Sequence, residues 1–154
     1  MRASPLAASK AKQKRLETLK VRRTALPSLQ NISPADLVHA IQAELPFAEL
    51  EALRANVDLP LERLATILGI ARATLHRRKA SGKPDAAESD RVVRYIRLEH
   101  QATEVFTTVE NARQWLSAPQ VGLGGAVSLQ YAATEVGARE AGNLLGRIEY
   151  GVYA

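Results

Sequence analysis

The sequence contains no cysteine among its 154 residues. This absence excludes a disulfide framework, a thiolate metal site and a cysteine nucleophile, and it is typical of proteins from a reducing compartment. No stretch approaches the ~18 consecutive apolar residues of a membrane span. Residues 1–24 also lack the apolar centre of a signal peptide. We therefore expect a cytoplasmic protein that does not associate with membranes.

Groups that could support catalysis are also sparse. The three histidines, His39, His76 and His100, lie far apart in the sequence, and no pair of carboxylates with metal-ligand spacing accompanies them. No nucleophile, base and orienting group can be assembled around Ser128 or these histidines. The sequence thus predicts no metal site, no cofactor and no enzymatic activity.

Positive charge is concentrated in two short segments. The net charge of +5 combines +7 over residues 1–24 and +5 over residues 72–83 with −4 over residues 25–71 and −3 over residues 84–154. Neutralisation of nucleic-acid phosphates requires clustered positive charge of this kind. The charge distribution therefore favours a nucleic-acid partner.

The spacing of apolar residues predicts an all-α protein. Hydrophobic residues make up 46% of the sequence and recur at helical intervals, with few β-branched runs. Proline and glycine at expected helix starts and ends divide this pattern into separate helices. The predicted helices begin near Pro34 and then span residues 47–56, 61–68, 72–80, 86–106, 109–117, 128–135 and 138–149.

Three regions follow from this division. Residues 1–30 have too little apolar surface to bury, so we expect a basic mobile arm, either a solvated tail or a tether to DNA. Residues 31–84 are predicted to form a helix-turn-helix bundle. Residues 85–154 are predicted to form a connecting helix and a small helical C-terminal domain, in which Phe106 and Trp115 belong to the core.

Residues 61–79 meet the physical requirements of a helix-turn-helix. Ala65 is small where the second helix crosses the first, and Gly69 permits a left-handed backbone in the turn between them. The shared core is supplied by Leu64, Leu68, Ile70 and Leu75. Arg78 departs from the common pattern, because an apolar residue often holds the end of the recognition helix at this place.

The second helix of this motif is expected to enter the major groove with its N-terminal residues towards base edges. Arginine can form two hydrogen bonds to guanine, and threonine can reach a phosphate or a thymine methyl group. The candidates for base or phosphate contacts are Arg72, Thr74, His76 and Arg77, and those for backbone contacts are Arg78, Lys79 and Lys83. The alternative is a helical pair whose basic face is only solvated.

The last third of the sequence carries a more specific pattern. A Phe precedes a helix with Ala and Trp-Leu, a Pro-containing loop and Leu-Gly-Gly follow, and two helices separated by Gly end at Arg-Ile-Glu-Tyr-Gly. These residues are Phe106, Ala112, Trp115, Leu116, Pro119, Leu123, Gly124, Gly125, Gly137, Leu145 and 147–151. The pattern closely resembles the toxin-binding region of the Xre/MbcA/ParS antitoxin family. Residues 68–91 resemble the helix-turn-helix region of the same family, and the whole resemblance covers residues 47–152.

The resemblance implies an antitoxin of a type II toxin–antitoxin system, whose partner is a RES-domain toxin that degrades NAD. It further implies a homodimer that represses its own operon by binding operator DNA and forms a larger hetero-oligomer with the toxin. In the family, the C-terminal end of the antitoxin obstructs the toxin active site.

The end of the chain also has the residue types of an interface. Arginine and tyrosine are favoured anchors, because they bury area and keep a polar group available. The predicted toxin-binding residues are Leu144, Arg147, Ile148, Tyr150, Gly151, Val152 and Tyr153. The alternative is that Leu145 and Ile148 are internal and the tyrosines cover them.

A different function class stays open. A stand-alone helix-turn-helix transcriptional regulator could use its C-terminal half to dimerise or to sense a ligand. An adjacent toxin gene, or a small enzyme that co-purifies with the protein, would favour the antitoxin.

Overall fold

The computed structural model describes residues 32–151 of the chain. The predicted all-α class is confirmed over this range, and the predicted arm over residues 1–30 lies outside it. The helices are α1 (Pro34–Gln42), α2 (Phe47–Val57), α3 (Leu61–Ile67), α4 (Arg72–Ser81), α5 (Ala86–Phe106), α6 (Val109–Ser117), α7 (Ser128–Tyr131) and α8 (Glu135–Glu149).

Several helices begin where a polar side chain caps the first turn. The capping residues that accept a backbone N–H are Ser33, Asp85, Thr108 and Thr134. Thr134 explains one wrong boundary, because its hydroxyl accepts from the backbone nitrogen of Gly137 at 3.0 Å and so starts α8 at Glu135 rather than at residue 138. Helix α7 correspondingly ends at Tyr131 rather than at residue 135.

A short β-hairpin, which the sequence analysis did not predict, lies between α6 and α7. Its strands, β1 (Pro119–Gln120) and β2 (Ala126–Val127), pair antiparallel. A 3₁₀ turn over Val121–Leu123 connects them, followed by two glycines with positive φ. Strands of two residues are too short to show the alternation that identifies a strand in a sequence.

Helix α5 is the central element of the fold. Helices α1 and α2 pack on it, as do α6 and α8, and the buried apolar residues form one continuous core from Leu45 to Leu145. The hydroxyl of Tyr95 in α5 donates to the carbonyl of Leu129 in α7 at 2.7 Å, and burial raises the pKa of Tyr95 to about 12. One helix therefore packs against both the N-terminal and the C-terminal helices of the described chain.

Further contacts fix α6. Trp115 is buried, as predicted, and its ring centroid lies 5.8 Å from that of the half-buried Phe106. The guanidinium of Arg113 donates to the carbonyl of Asn56 at 2.6 Å and to that of Ala55 at 2.9 Å. These bonds hold α6 against the C-terminal end of α2.

Two further observations concern the part of the chain that the structure describes. None of its helices is long and apolar enough to cross a membrane. It contains no group of three or more His, Asp or Glu side chains placed to hold a metal ion.

Candidate interaction surfaces

Helices α3 and α4 form a helix-turn-helix. Gly69 in the turn has φ +71°, so the left-handed conformation predicted for it is confirmed. Ala65 is buried in α3, and Leu75 is the buried anchor of α4. The crossing of the two helices thus uses the small residue, the turn glycine and the apolar anchor that the sequence indicates.

Arg91 in α5 contacts the turn between α3 and α4. Its Nη1 donates to the carbonyl of Leu68 at 2.8 Å and to that of Gly69 at 3.3 Å. These bonds satisfy carbonyl groups at the end of α3, where the helix itself provides no partner. This role was not predicted from the sequence, because the two residues whose carbonyl groups Arg91 contacts lie more than twenty positions before it.

The exposed surface of α4 is basic. Arg72, His76 and Arg77 are exposed, and Arg77 lies on the side of the helix away from Leu75. Lys79 and Lys83 are exposed too. The half-buried Thr74 accepts a hydrogen bond from Arg77 Nη2 at 3.1 Å. Six of the seven residues predicted to bind DNA therefore carry no ion pair with any residue between 32 and 151.

Arg78 is the exception among the predicted DNA-binding residues. Its Nε donates to Glu88 Oε2 at 2.9 Å, its Nη2 donates to Asp85 Oδ2 at 3.1 Å, and the bond with Glu88 raises the pKa of the guanidinium. These pairs turn the side chain towards α5. Its contact with a DNA phosphate stays a prediction. The observed bonds attach the end of α4 to the start of α5.

The C-terminal helix α8 separates a buried side from a half-buried side. Gly137, Ala141 and Leu145 are buried, which confirms the core alternative for Leu145. The predicted toxin-binding residues Leu144, Arg147 and Ile148 are half-buried, Tyr150 is 81% exposed, and Gly151 is exposed. Val152 and Tyr153 lie outside the described residues. The side chain of Arg147 makes no hydrogen bond or ion pair with the residues that the structure describes.

The β-hairpin packs directly against this half-buried side. Gly122 lies so close to Leu144 that a Cβ at position 122 would come within 2.6 Å of Leu144 Cδ1. The neighbouring Val121 is 97% exposed. Val121 was not predicted as a site residue, because an isolated valine in a glycine-rich loop has no sequence pattern that indicates its exposure.

A groove of about 450 Å³ separates α1, α5 and α8. Its apolar floor includes Leu37, Ile41, Val93, Leu98 and Ala138. Its charged rim includes Asp90, Arg94, Arg97, Glu135 and Arg139, among which Arg94 pairs with Asp90 and Arg139 pairs with Glu135.

Comparison with known proteins covers both halves of the described chain. Residues 36–97 match an antitoxin Xre-like helix-turn-helix domain, and residues 101–151 match the antitoxin Xre/MbcA/ParS C-terminal toxin-binding domain. Antitoxin Xre of Photorhabdus laumondii is 33% identical over 121 residues, which are 77% of this chain and 74% of the relative. Antitoxin Xre of Yersinia enterocolitica is 29% identical over 120 residues, which are 77% of this chain and 81% of the relative. The chain therefore belongs to the Xre/MbcA/ParS antitoxin family.

Proposed function

We propose that this protein acts in the cytoplasm as the antitoxin of a type II system and neutralises a RES-domain toxin that degrades NAD. The family supplies a toxin-binding domain and a helix-turn-helix domain. The resemblance described above supports the RES toxin as the partner. Such an antitoxin acts by binding, without chemistry of its own.

The observation that carries this proposal is the arrangement of side chains on α8. Leu145 and Ala141 attach the helix to the core, whereas Leu144, Arg147 and Ile148 retain accessible surface on the next side. Tyr150 extends this accessible region beyond the helix end. Arginine and tyrosine are enriched in protein interfaces, and the aliphatic side chains add apolar area that a partner can bury.

We infer that the chain after Glu149 enters and obstructs the toxin active site. Shortening the chain after Glu149 removes no residue that is buried in the described structure, so the shortened protein should keep its thermal unfolding midpoint. In cells that co-express the toxin, the shortened protein should allow NAD to fall, whereas the full chain should keep the NAD level unchanged. A full NAD level with the shortened protein would overturn the obstruction.

We also propose that the protein represses its own operon as a homodimer, with α4 in the major groove. The net charge of +5 over residues 72–83 and the exposed basic face of α4 support this role. A dimer would present two such helices to a palindromic operator. Footprinting of the promoter with the full chain should protect two half-sites about one helical turn apart, and protection of a single half-site would contradict the dimer.

The groove between α1, α5 and α8 favours the alternative function, a stand-alone regulator that senses a ligand. Its volume of about 450 Å³ falls in the range of small-molecule sites. Purification of the full chain with its native operon distinguishes the two, because an antitoxin retains a second protein and a ligand-sensing regulator does not.

A further inference from the structure

We propose that Val121, at the tip of the β-hairpin, is part of the surface that the toxin covers. This proposal rests on the role of the protein as an antitoxin, but not on the toxin being a RES enzyme or on obstruction of its active site. It extends the predicted contact region from the end of α8 to a separate element of the fold.

Val121 is more exposed than any other large hydrophobic residue in the described chain. Its exposed fraction is 97%, compared with 81% for Tyr150, 60% for Val136 and 50% for Val38. Exposure of an apolar side chain to water costs free energy in proportion to the exposed area. A partner that covers this area therefore gains binding free energy. The loop itself gains nothing from the valine, because the side chain packs on almost nothing.

The backbone around Val121 is nevertheless fixed. The carbonyl of Val121 accepts from the nitrogen of Gly124 at 3.0 Å, and that of Gln120 accepts from the nitrogen of Gly125 at 2.8 Å. The side-chain amide of Gln120 donates to the carbonyl of Trp115 at 2.8 Å. An apolar group that is already held in place loses little conformational entropy on binding, which makes it a favourable contact.

The hairpin tip and the end of α8 form one continuous surface. Gly122, the residue after Val121, lies against the side chain of Leu144. Arg147 and Ile148 follow Leu144 by three and four positions, so they occupy the same side of α8. A partner that covers this side of α8 at Leu144 therefore meets the hairpin at Val121.

The toxin is the occupant that fits this surface best. Val121 lies inside residues 101–151, the range that matches a toxin-binding domain. DNA is disfavoured, because residues 119–127 contain no basic side chain and the basic helix α4 belongs to the other domain. A second copy of the chain is the remaining occupant, and the experiment below distinguishes it.

The test compares Val121→Asp with Val136→Asp in the full chain. Val136 is an exposed valine in the first turn of α8, far along the helix from Leu144, so it provides a matched control. The dissociation constant is measured for the purified toxin of the same operon. Val121→Asp should raise the dissociation constant by about tenfold or more, which is the effect expected when an important interface contact is lost. Val136→Asp should stay within about twofold of the original chain.

Equal dissociation constants for the two variants would overturn the proposal. A Val121→Asp variant that binds toxin normally but sediments as a smaller oligomer would overturn it too, because the surface would then join copies of the chain. The thermal unfolding midpoint of Val121→Asp should equal that of the original chain, since the side chain is almost fully exposed. Full toxin inhibition after removal of residues 150–154, together with weak binding of Val121→Asp, would reject active-site obstruction and keep this proposal.

Discussion

Arg78 in α4 and Glu88 in α5 form an ion pair with 2.9 Å between Nε and Oε2. Glu88 is also half of a capping box: its Oε2 accepts from the backbone nitrogen of Asp85, and Asp85 Oδ1 accepts from the backbone nitrogen of Glu88. A second pair joins Arg78 to Asp85 at 3.1 Å. The end of α4 is thus attached to the first turn of α5.

Replacement of Arg78 by Met should destabilise this junction. Glu88 is only 5% exposed, and the substitution would leave its carboxylate without a counter-charge in a site with little water. We expect a lower urea midpoint with an unchanged m-value. The control is Arg77→Met, because Arg77 is exposed and, among residues 32–151, its side chain bonds only to Thr74. If both variants unfold at the same urea concentration, the junction contributes nothing to stability.

The ion pair between Arg78 and Glu88 also shows which features of the fold could not be predicted from the sequence. The starts of α2 through α6 were predicted correctly, because proline, capping side chains and apolar spacing are local signals. The same signals identified Gly69 and Leu75. They could not identify what replaces the usual apolar residue at position 78, since the partners of Arg78 belong to the next helix.

In the C-terminal domain, too, contacts between residues distant in the sequence could not be predicted. The resemblance located the domain and its glycine pattern, but the packing of the hairpin on α8 depends on the contact of Gly122 with Leu144, more than twenty residues away. Exposure is likewise a property of the folded chain. Val121 and Leu145 are both aliphatic residues near glycines in the sequence, yet the first is exposed and the second is fully buried.

Arg72→Ala and Arg77→Ala should each weaken operator binding. Both side chains are exposed on α4, and loss of a direct base contact costs about 1–3 kcal/mol, or roughly fivefold to 150-fold in affinity. Fluorescence anisotropy with a labelled promoter fragment measures this loss. Arg139→Ala is the matched control, because it removes the same charge from an exposed site on α8. Operator affinity equal to that of the control would reject α4 as the recognition helix.

Two glycines of α8 should respond oppositely to alanine. A Cβ at Gly137 would collide with the carbonyl oxygen of Tyr131, so the turn between α7 and α8 must move, and we expect a loss of about 1–3 kcal/mol in unfolding free energy. A Cβ at Gly146 would meet nothing within 4 Å, and alanine there should add about 0.5–1 kcal/mol. Urea unfolding of both variants measures the two changes. A stabilised Gly137→Ala would show that the turn adapts without cost.

Glu49 in α2 should make the stability of the protein depend on pH. Its side chain is 7% exposed, and its Oε2 has no hydrogen-bond partner among residues 32–151. Burial raises the pKa of this carboxyl from 4.5 to about 7. The folded chain therefore holds a proton on Glu49 between pH 4.5 and 7 that the unfolded chain releases, so the contribution of this group to stability falls as the pH rises through that window.

Glu49→Gln removes this titration and keeps the shape of the side chain. The unfolding free energy of the variant should exceed that of the original chain by an amount that grows from pH 4.5 to 7 and then stays constant. The shift in the pKa of Glu49 limits this difference in unfolding free energy to about 3 kcal/mol. Urea unfolding of both proteins at pH 5, 6, 7 and 8 measures the difference, and Glu51→Gln, a partly exposed neighbour in the same helix, is the control. A difference that does not change with pH would mean that Glu49 titrates normally in the folded protein.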